Sequence, residues 1–123
     1  MITIQIQENR AFDELAILEV KKYFCDDPVK KQTIQDQIEE LSEQINIGIG
    51  YDKAKEIYTS EEYTKLYTIN FELFVFFDKI KKEKRDALEA DSMNYQRHLI
   101  KNKLQEKFFG GINSEIKLGY QSL

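Results

Sequence analysis

The stretch TSEEYTKLYTINFELFVFFDKIKKEKRDALEADSMNYQRHLIKNKLQEKF, residues 59–108, contains neither glycine nor proline. Nothing in it interrupts a helix by backbone chemistry. Thr59-Ser60-Glu61-Glu62 reads as a capping box, with Thr59 as N-cap and Glu62 three residues on. One straight helix of about 49 residues would run roughly 74 Å, too long for a small domain. Two helices are therefore expected, with the turn in the polar run Lys79 to Asp86 or at Asp91-Ser92. Leu66, Ile69, Leu73, Phe74, Phe77 and Ile80 fall on the core face of the first. Tyr95, Leu99, Ile100, Leu104 and Phe108 do so on the second, which Gly110-Gly111 ends.

Upstream, the pattern repeats with clear punctuation. Asp26-Asp27-Pro28 breaks the chain, with Asp27 as N-cap and Pro28 at the first helical position. From Pro28 to about Asn46, Ile34, Ile38, Leu41 and Ile45 form a narrow seam spaced like a coiled coil, and Gly48 and Gly50 end the helix. Tyr51 to Tyr58 has no decisive pattern and fits a short helix. Before Asp26, residues 10–24 carry Phe12, Leu15, Ala16, Ile17, Leu18, Val20, Tyr23 and Phe24 on a broad apolar face, with Asn9 as the expected N-cap. Ile2, Ile4 and Ile6 alternate with polar residues, the period of a half-buried strand. Glu115 to Tyr120 fits a second short strand, and the N-terminal strand is its natural partner. The expected architecture is mainly α: one domain over residues 1–123, an antiparallel bundle of about four helices with a minor two-stranded sheet from the terminal segments.

Composition narrows the function. The 123 residues are 41% hydrophobic and 33% charged, which fits a folded water-exposed chain. The net charge of -4 argues against nucleic acid as a partner. The longest purely apolar run, Leu73 to Phe77, is far short of the roughly 20 residues that span a bilayer, so no membrane insertion is expected. No secretion signal is apparent, and the single Cys25 fits a reducing interior, so a cytoplasmic location is expected. One cysteine and one histidine exclude an intramolecular disulfide, a multi-cysteine zinc site and any site needing two imidazoles.

Few residues suggest chemistry. Glu39, Glu40 and Glu43 with Glu83 and Asp86 echo the E-E-x-x-E and E-x-x-D pattern of all-helical NTP pyrophosphohydrolases, which hold Mg²⁺ on paired carboxylates. The gap between the halves is longer than usual there, and both halves lie on polar faces. The expectation is a solvated face: no metal, no cofactor and no catalytic constellation. His98 has no nucleophile beside it and reads as a surface or packing residue. Cys25, next to Asp26 and Asp27, reads as a small hydrophobe and not as a reactive thiol. The basic run Lys79, Lys81, Lys82, Lys84 and Arg85 is interleaved with Asp78, Glu83 and Asp86, the mark of a solvated helix face. Phe71, Phe74, Phe76 and Phe77, preceded by Tyr63 and Tyr67, are apolar on more than one helix face. A domain this small has trouble hiding every side of such a helix, so these four phenylalanines are the candidate partner interface.

Asp13-Glu14-Leu15-Ala16-Ile17-Leu18-Glu19-Val20-Lys21, following a strand, resembles the opening of an uncharacterised bacterial family of small domains, G-E-L-x-D-K-x-T-I-L-E-I-K. Ile69-Asn70 with Leu73, Phe74 and Asp78 is similar to that family's V-N-x-x-L-W-x-x-E-D. Residues 94–101 are similar to its N-D-x-R-x-x-L-K, with Tyr95 replacing the acid. Glu115, Lys117 and Tyr120 resemble its closing E-x-K-x-Y, with one extra residue before the tyrosine. The opening glycine and a glycine-containing turn between the last two helices are missing here. The family has no established activity; its genes often neighbour those for surface polysaccharides, which implies a role beside such enzymes. The matched polar residues Asp13, Asn70, Asn94, Arg97 and Lys101 are candidates for one pocket that binds a small anion. The competing expectation is a buried polar network that sets helix register. The leading functional expectation is a non-enzymatic interaction or adaptor protein, a homo-oligomer. An anion-binding module for sugar phosphates or nucleotides comes second, and an Mg²⁺-dependent pyrophosphohydrolase third.

Overall fold

A computed structural model describes residues 2–79, 84–111 and 114–120. The element order is β1 (Ile2–Ile6), α1 (Glu8–Phe24), α2 (Pro28–Ile49), α3 (Tyr51–Tyr58), α4 (Glu61–Lys79), α5 (Lys84–Phe109) and β2 (Ile116–Tyr120). The fold is mainly helical, with five helices among the described residues where about four were expected. The difference is α3, whose eight residues bury Ala54 and Ile57 and form a helix of their own. Gly50 makes that separation possible, because its φ of 94° is available to few residues other than glycine.

α1 is the central element and packs against α2, α4 and α5. Three neighbours explain its broad apolar face, on which Ala11, Phe12, Leu15, Ala16 and Val20 are buried. Phe12 is wholly buried among the rings of Tyr58, Tyr63 and Phe109, at centroid distances of 5.5, 6.2 and 6.4 Å. Burying a phenylalanine in this way contributes about 2–3 kcal/mol. α4 and α5 are antiparallel: Lys107 near the end of α5 pairs with Glu62 at the start of α4, while Phe77 and Asn94 line one cavity at the other end. α4 ends at Lys79 and α5 begins at Lys84, both within the first of the two expected runs, and the residues between them lie outside those described. The expected core position Ile80 and the basic residues Lys81 and Lys82 lie outside the described residues.

β1 pairs antiparallel with β2, placing Ile2 opposite Tyr120 and Ile6 opposite Ile116. Ile116 and Leu118 are buried against the helices, while the side chains of Ile2, Ile4, Lys117 and Tyr120 lie outside those described. β2 also touches α2. Of the two glycines expected to end α2, Gly50 is its C-cap, whereas Gly48 lies inside the helix, which runs to Ile49 instead of about Asn46. A Cβ at Gly48 would come within 2.5 Å of Ile116 Cδ1, so the glycine is needed for close approach of the strand.

Several local expectations shift by a residue or a face. Asp27 caps α2 as expected, accepting from the backbone N–H of Val29 and Lys30. Ser60, not Thr59, caps α4: its hydroxyl accepts from the N–H of Tyr63 at 3.1 Å. Thr59 instead closes α3 and donates its hydroxyl to the Lys55 carbonyl. Asn9 is not an N-cap but lies within α1, buried against α5. Phe74 and Phe77, expected in the core, are 38% and 51% exposed, and Tyr95 and Leu99 also face outward. α1 ends at Phe24, which stacks on Phe74 at 4.6 Å; Phe77 lies a turn beyond that cover. No helix among the described residues is long and apolar enough to cross a membrane.

Candidate functional site

The five polar residues singled out in the sequence meet around one carboxylate. Asp13 is buried on the first half of α1, on the side facing α4 and α5. Its Oδ1 accepts from Asn70 Nδ2 at 2.9 Å and from Arg97 Nε at 3.1 Å. Its Oδ2 accepts from Arg97 Nη2 at 2.5 Å, and Lys101 Nζ stands 3.7 Å away. Asn70 also donates to the Leu66 carbonyl one turn earlier, which fixes its amide. Asn94 sits at the exposed edge, where its Oδ1 takes a long 3.5 Å contact from Arg97 Nη1.

Helical spacing explains the convergence. Asn94, Arg97 and Lys101 are three and four residues apart and share one face of α5. Asn70 occupies the inward stripe of α4 with Leu66, Ile69 and Leu73. The carboxylate holds these helices to α1 by charge-assisted bonds, the stronger kind of hydrogen bond.

The network opens on a cleft of about 590 Å³ lined by Gln5, Ile6, Arg10, Asp13, Glu14, Ile17, Arg97 and Lys101. Three cations face two carboxylates there. Arg10 makes no ion pair among the described residues. Lys101 is held below the ordinary lysine range, first by burial; Asp13 opposes this, and the positive charges of Arg97 and Arg10 add to it. A second, smaller cavity of about 170 Å³ lies behind Arg97, lined mainly by Val20, Leu73, Phe74 and Phe77 together with Asn70 and Asn94. The two cavities share Ile17 and Arg97 as a common wall.

The four phenylalanines lie on the outer part of α4. Phe71 and Phe76 are half-buried, whereas Phe74 and Phe77 are exposed. Tyr23 and Phe24 at the end of α1 join them: Phe24 packs on Phe71 at 4.9 Å, and Tyr23, 66% exposed, packs edge-on against Phe71 at 5.2 Å. The result is a partly open aromatic surface formed from two helices, in which Phe76 and Phe77 pack on each other beside the Phe24, Phe71 and Phe74 rings.

The remaining candidates gather no chemistry. Glu39, Glu40 and Glu43 are exposed on α2, where they accept hydrogen bonds from Gln35, Gln44 and Tyr51 respectively. Glu83 lies outside the described residues. Among the described residues, no group of three or more His, Cys, Asp or Glu side chains is placed to hold a metal. His98 is exposed and contacts Asn102 one turn away. Cys25 is half-buried at the end of α1, with its Sγ 3.6 Å from the Asp27 carbonyl.

A second polar cluster had no signal in the sequence. Glu8, Asn9 and Gln105 are all buried. Gln105 Oε1 accepts the Asn9 backbone N–H at 2.9 Å, and its Nε2 donates to Glu8 and to the carbonyls of Gly111 and Ser114. The Ser114 hydroxyl donates to Glu8 at 2.5 Å. Glu19 was missed as well. Burial raises its carboxyl above the usual range, and contacts with Tyr63 and Lys22 oppose that. Burial also pushes the neighbouring Tyr58 phenol up to about 12.

Comparison of the chain with known protein families, curated proteins and solved structures yields no match. The family resemblance drawn from the sequence rests on its ordered motifs alone.

Proposed function

We propose that this chain is a non-enzymatic interaction protein that self-associates through the aromatic surface of α1 and α4. The observation carrying this reading is the exposure of Tyr23, Phe74 and Phe77 beside the half-buried Phe24, Phe71 and Phe76. Clustered aromatic rings open to water are the usual composition of a protein contact, because they release much apolar area for little lost side-chain freedom. A cytoplasmic setting belongs to the same proposal, and no catalytic group enters it.

The test is the solution mass by light scattering at about 100 μM, a concentration at which a micromolar dimer is nearly complete. The native chain is expected to run as a dimer or larger. Phe77→Glu is expected to run as a monomer with an unchanged circular dichroism spectrum, since Phe77 is half exposed. A monomeric native chain overturns self-association.

The cleft between Arg10, Arg97 and Lys101 favours a second reading, an anion-binding module. Its support is the excess of cations over carboxylates in one concave site.

A further inference from the structure

We propose that the cleft takes an amphipathic anion, a small phosphate or carboxylate head joined to an aromatic or short aliphatic arm. The inference rests on the anion-binding reading and adds the chemistry of the ligand.

The head site is defined by the donors left over once Asp13 is satisfied. Arg97 spends Nε and Nη2 on the carboxylate, and its Nη1 makes only the long contact to Asn94. Lys101 Nζ stands 3.7 Å from Asp13, beyond hydrogen-bond distance, so its protons remain available to a ligand oxygen. Arg10 contributes a third cation to the same cleft from the first turns of α1. Asp13 therefore orients Arg97 and Lys101, and with Arg10 the cleft holds one cation more than its two carboxylates, Asp13 and Glu14, a surplus that an added anion balances. A neutral head would leave the half-buried ammonium of Lys101 without that gain.

The arm site follows from the shared wall. Beyond Ile17 and the Arg97 guanidinium, the smaller cavity turns apolar, with Val20, Leu73, Phe74 and Phe77 around it. Its volume of about 170 Å³ suits one ring or a short branched chain. Arg97 lines both cavities, so one guanidinium can pair with a charged head and adjoin an apolar arm.

Titration calorimetry with inorganic phosphate and with phenyl phosphate separates head from arm. Phenyl phosphate is expected to bind roughly tenfold tighter, the gain from burying part of one ring. Phe77→Gln, which also removes a ring of the proposed self-association surface and is therefore compared with the native chain at equal measured mass, is expected to abolish that tenfold difference. Arg10→Gln, at an exposed side chain outside the Asp13 hydrogen bonds, is expected to weaken both ligands several-fold. Equal affinity of the two ligands for the native chain overturns the amphipathic assignment and leaves the anion-binding reading intact. Heat from neither ligand up to 10 mM, about the weakest affinity such a site would show, removes both.

Discussion

Asp13 is the residue on which three helices converge. It is buried, it is charged, and every contact it makes is with a donor on another helix. A buried ion pair adds little net stability over an apolar replacement, but breaking one side of it is costly because the other charge is stranded. Asp13→Asn preserves the shape and one acceptor, so it isolates the charge. It is expected to cost about 2 kcal/mol in urea unfolding. The figure lies below that of a fully buried pair because the Arg97 side chain is 28% exposed and water relieves part of the loss. Arg97→Met is expected to cost about half as much, since Asp13 keeps Asn70 and Lys101 and the methionine retains the packing of the stem. A loss under about 0.5 kcal/mol for Asp13→Asn, the range of ordinary surface changes, refutes a structural role for the network.

At the scale of elements, Gly48 shows how tightly β2 is held against α2. Alanine in a helix interior normally gains about 1 kcal/mol over glycine. Here the added Cβ would meet Ile116 Cδ1 at 2.5 Å and Cγ1 at 2.6 Å, and Ile116 is buried. Gly48→Ala is therefore expected to destabilise by about 1 kcal/mol instead. Ile116→Val removes the Cδ1 atom, so the double variant is expected to recover part of the loss. Additive losses in a urea double-mutant cycle refute the contact. The same position marks what could be read from the sequence and what could not. Asp27-Pro28 announces the start of α2 by local chemistry, and the cap forms at those residues. Gly48 announces a stop by the same local logic, yet the helix continues because a strand from the far end of the chain needs the space. α3 was read only as a stretch that fits a short helix and was not counted in the bundle, because eight residues carry too little periodicity to decide. Asp13, Asn70, Arg97 and Lys101 were singled out through the family resemblance, whose matched polar positions they occupy, and not through any pattern of spacing on their own helices. Glu8 and Gln105 were not legible: nothing local distinguishes them from the many solvated glutamates and glutamines around them. The outward turn of Phe74 and Phe77 depends on where α1 ends relative to α4, a tertiary fact that the apolar pattern of α4 does not contain.

Across the whole molecule, the two ends of the chain are joined by that unforeseen cluster. Gln105 links α5 to the start of α1 through Glu8 and the Asn9 backbone, and to the approach to β2 through Gly111 and Ser114. The contacts to α1 span 96 and 97 residues, so they form only when the bundle and the terminal segments are both in place. Gln105→Met keeps the length and lets the side chain remain buried. It strands the Asn9 N–H, weakens the support of the Glu8 carboxylate, and leaves the Gly111 carbonyl short of its donor. Each stranded buried group costs about 1–3 kcal/mol, so a total loss of about 3 kcal/mol is expected after relaxation. If the clamp joins the terminal segments to the bundle, the loss appears as one cooperative shift of the thermal transition. Amide exchange in β2 and in the first turn of α1 then accelerates together with that of the core. If the clamp only fastens a local corner, exchange accelerates in β2 alone while the core of α1, α4 and α5 keeps its native protection. That second pattern would separate the strands from the cooperative unit and refute the view that the chain ends are held as part of one folding transition.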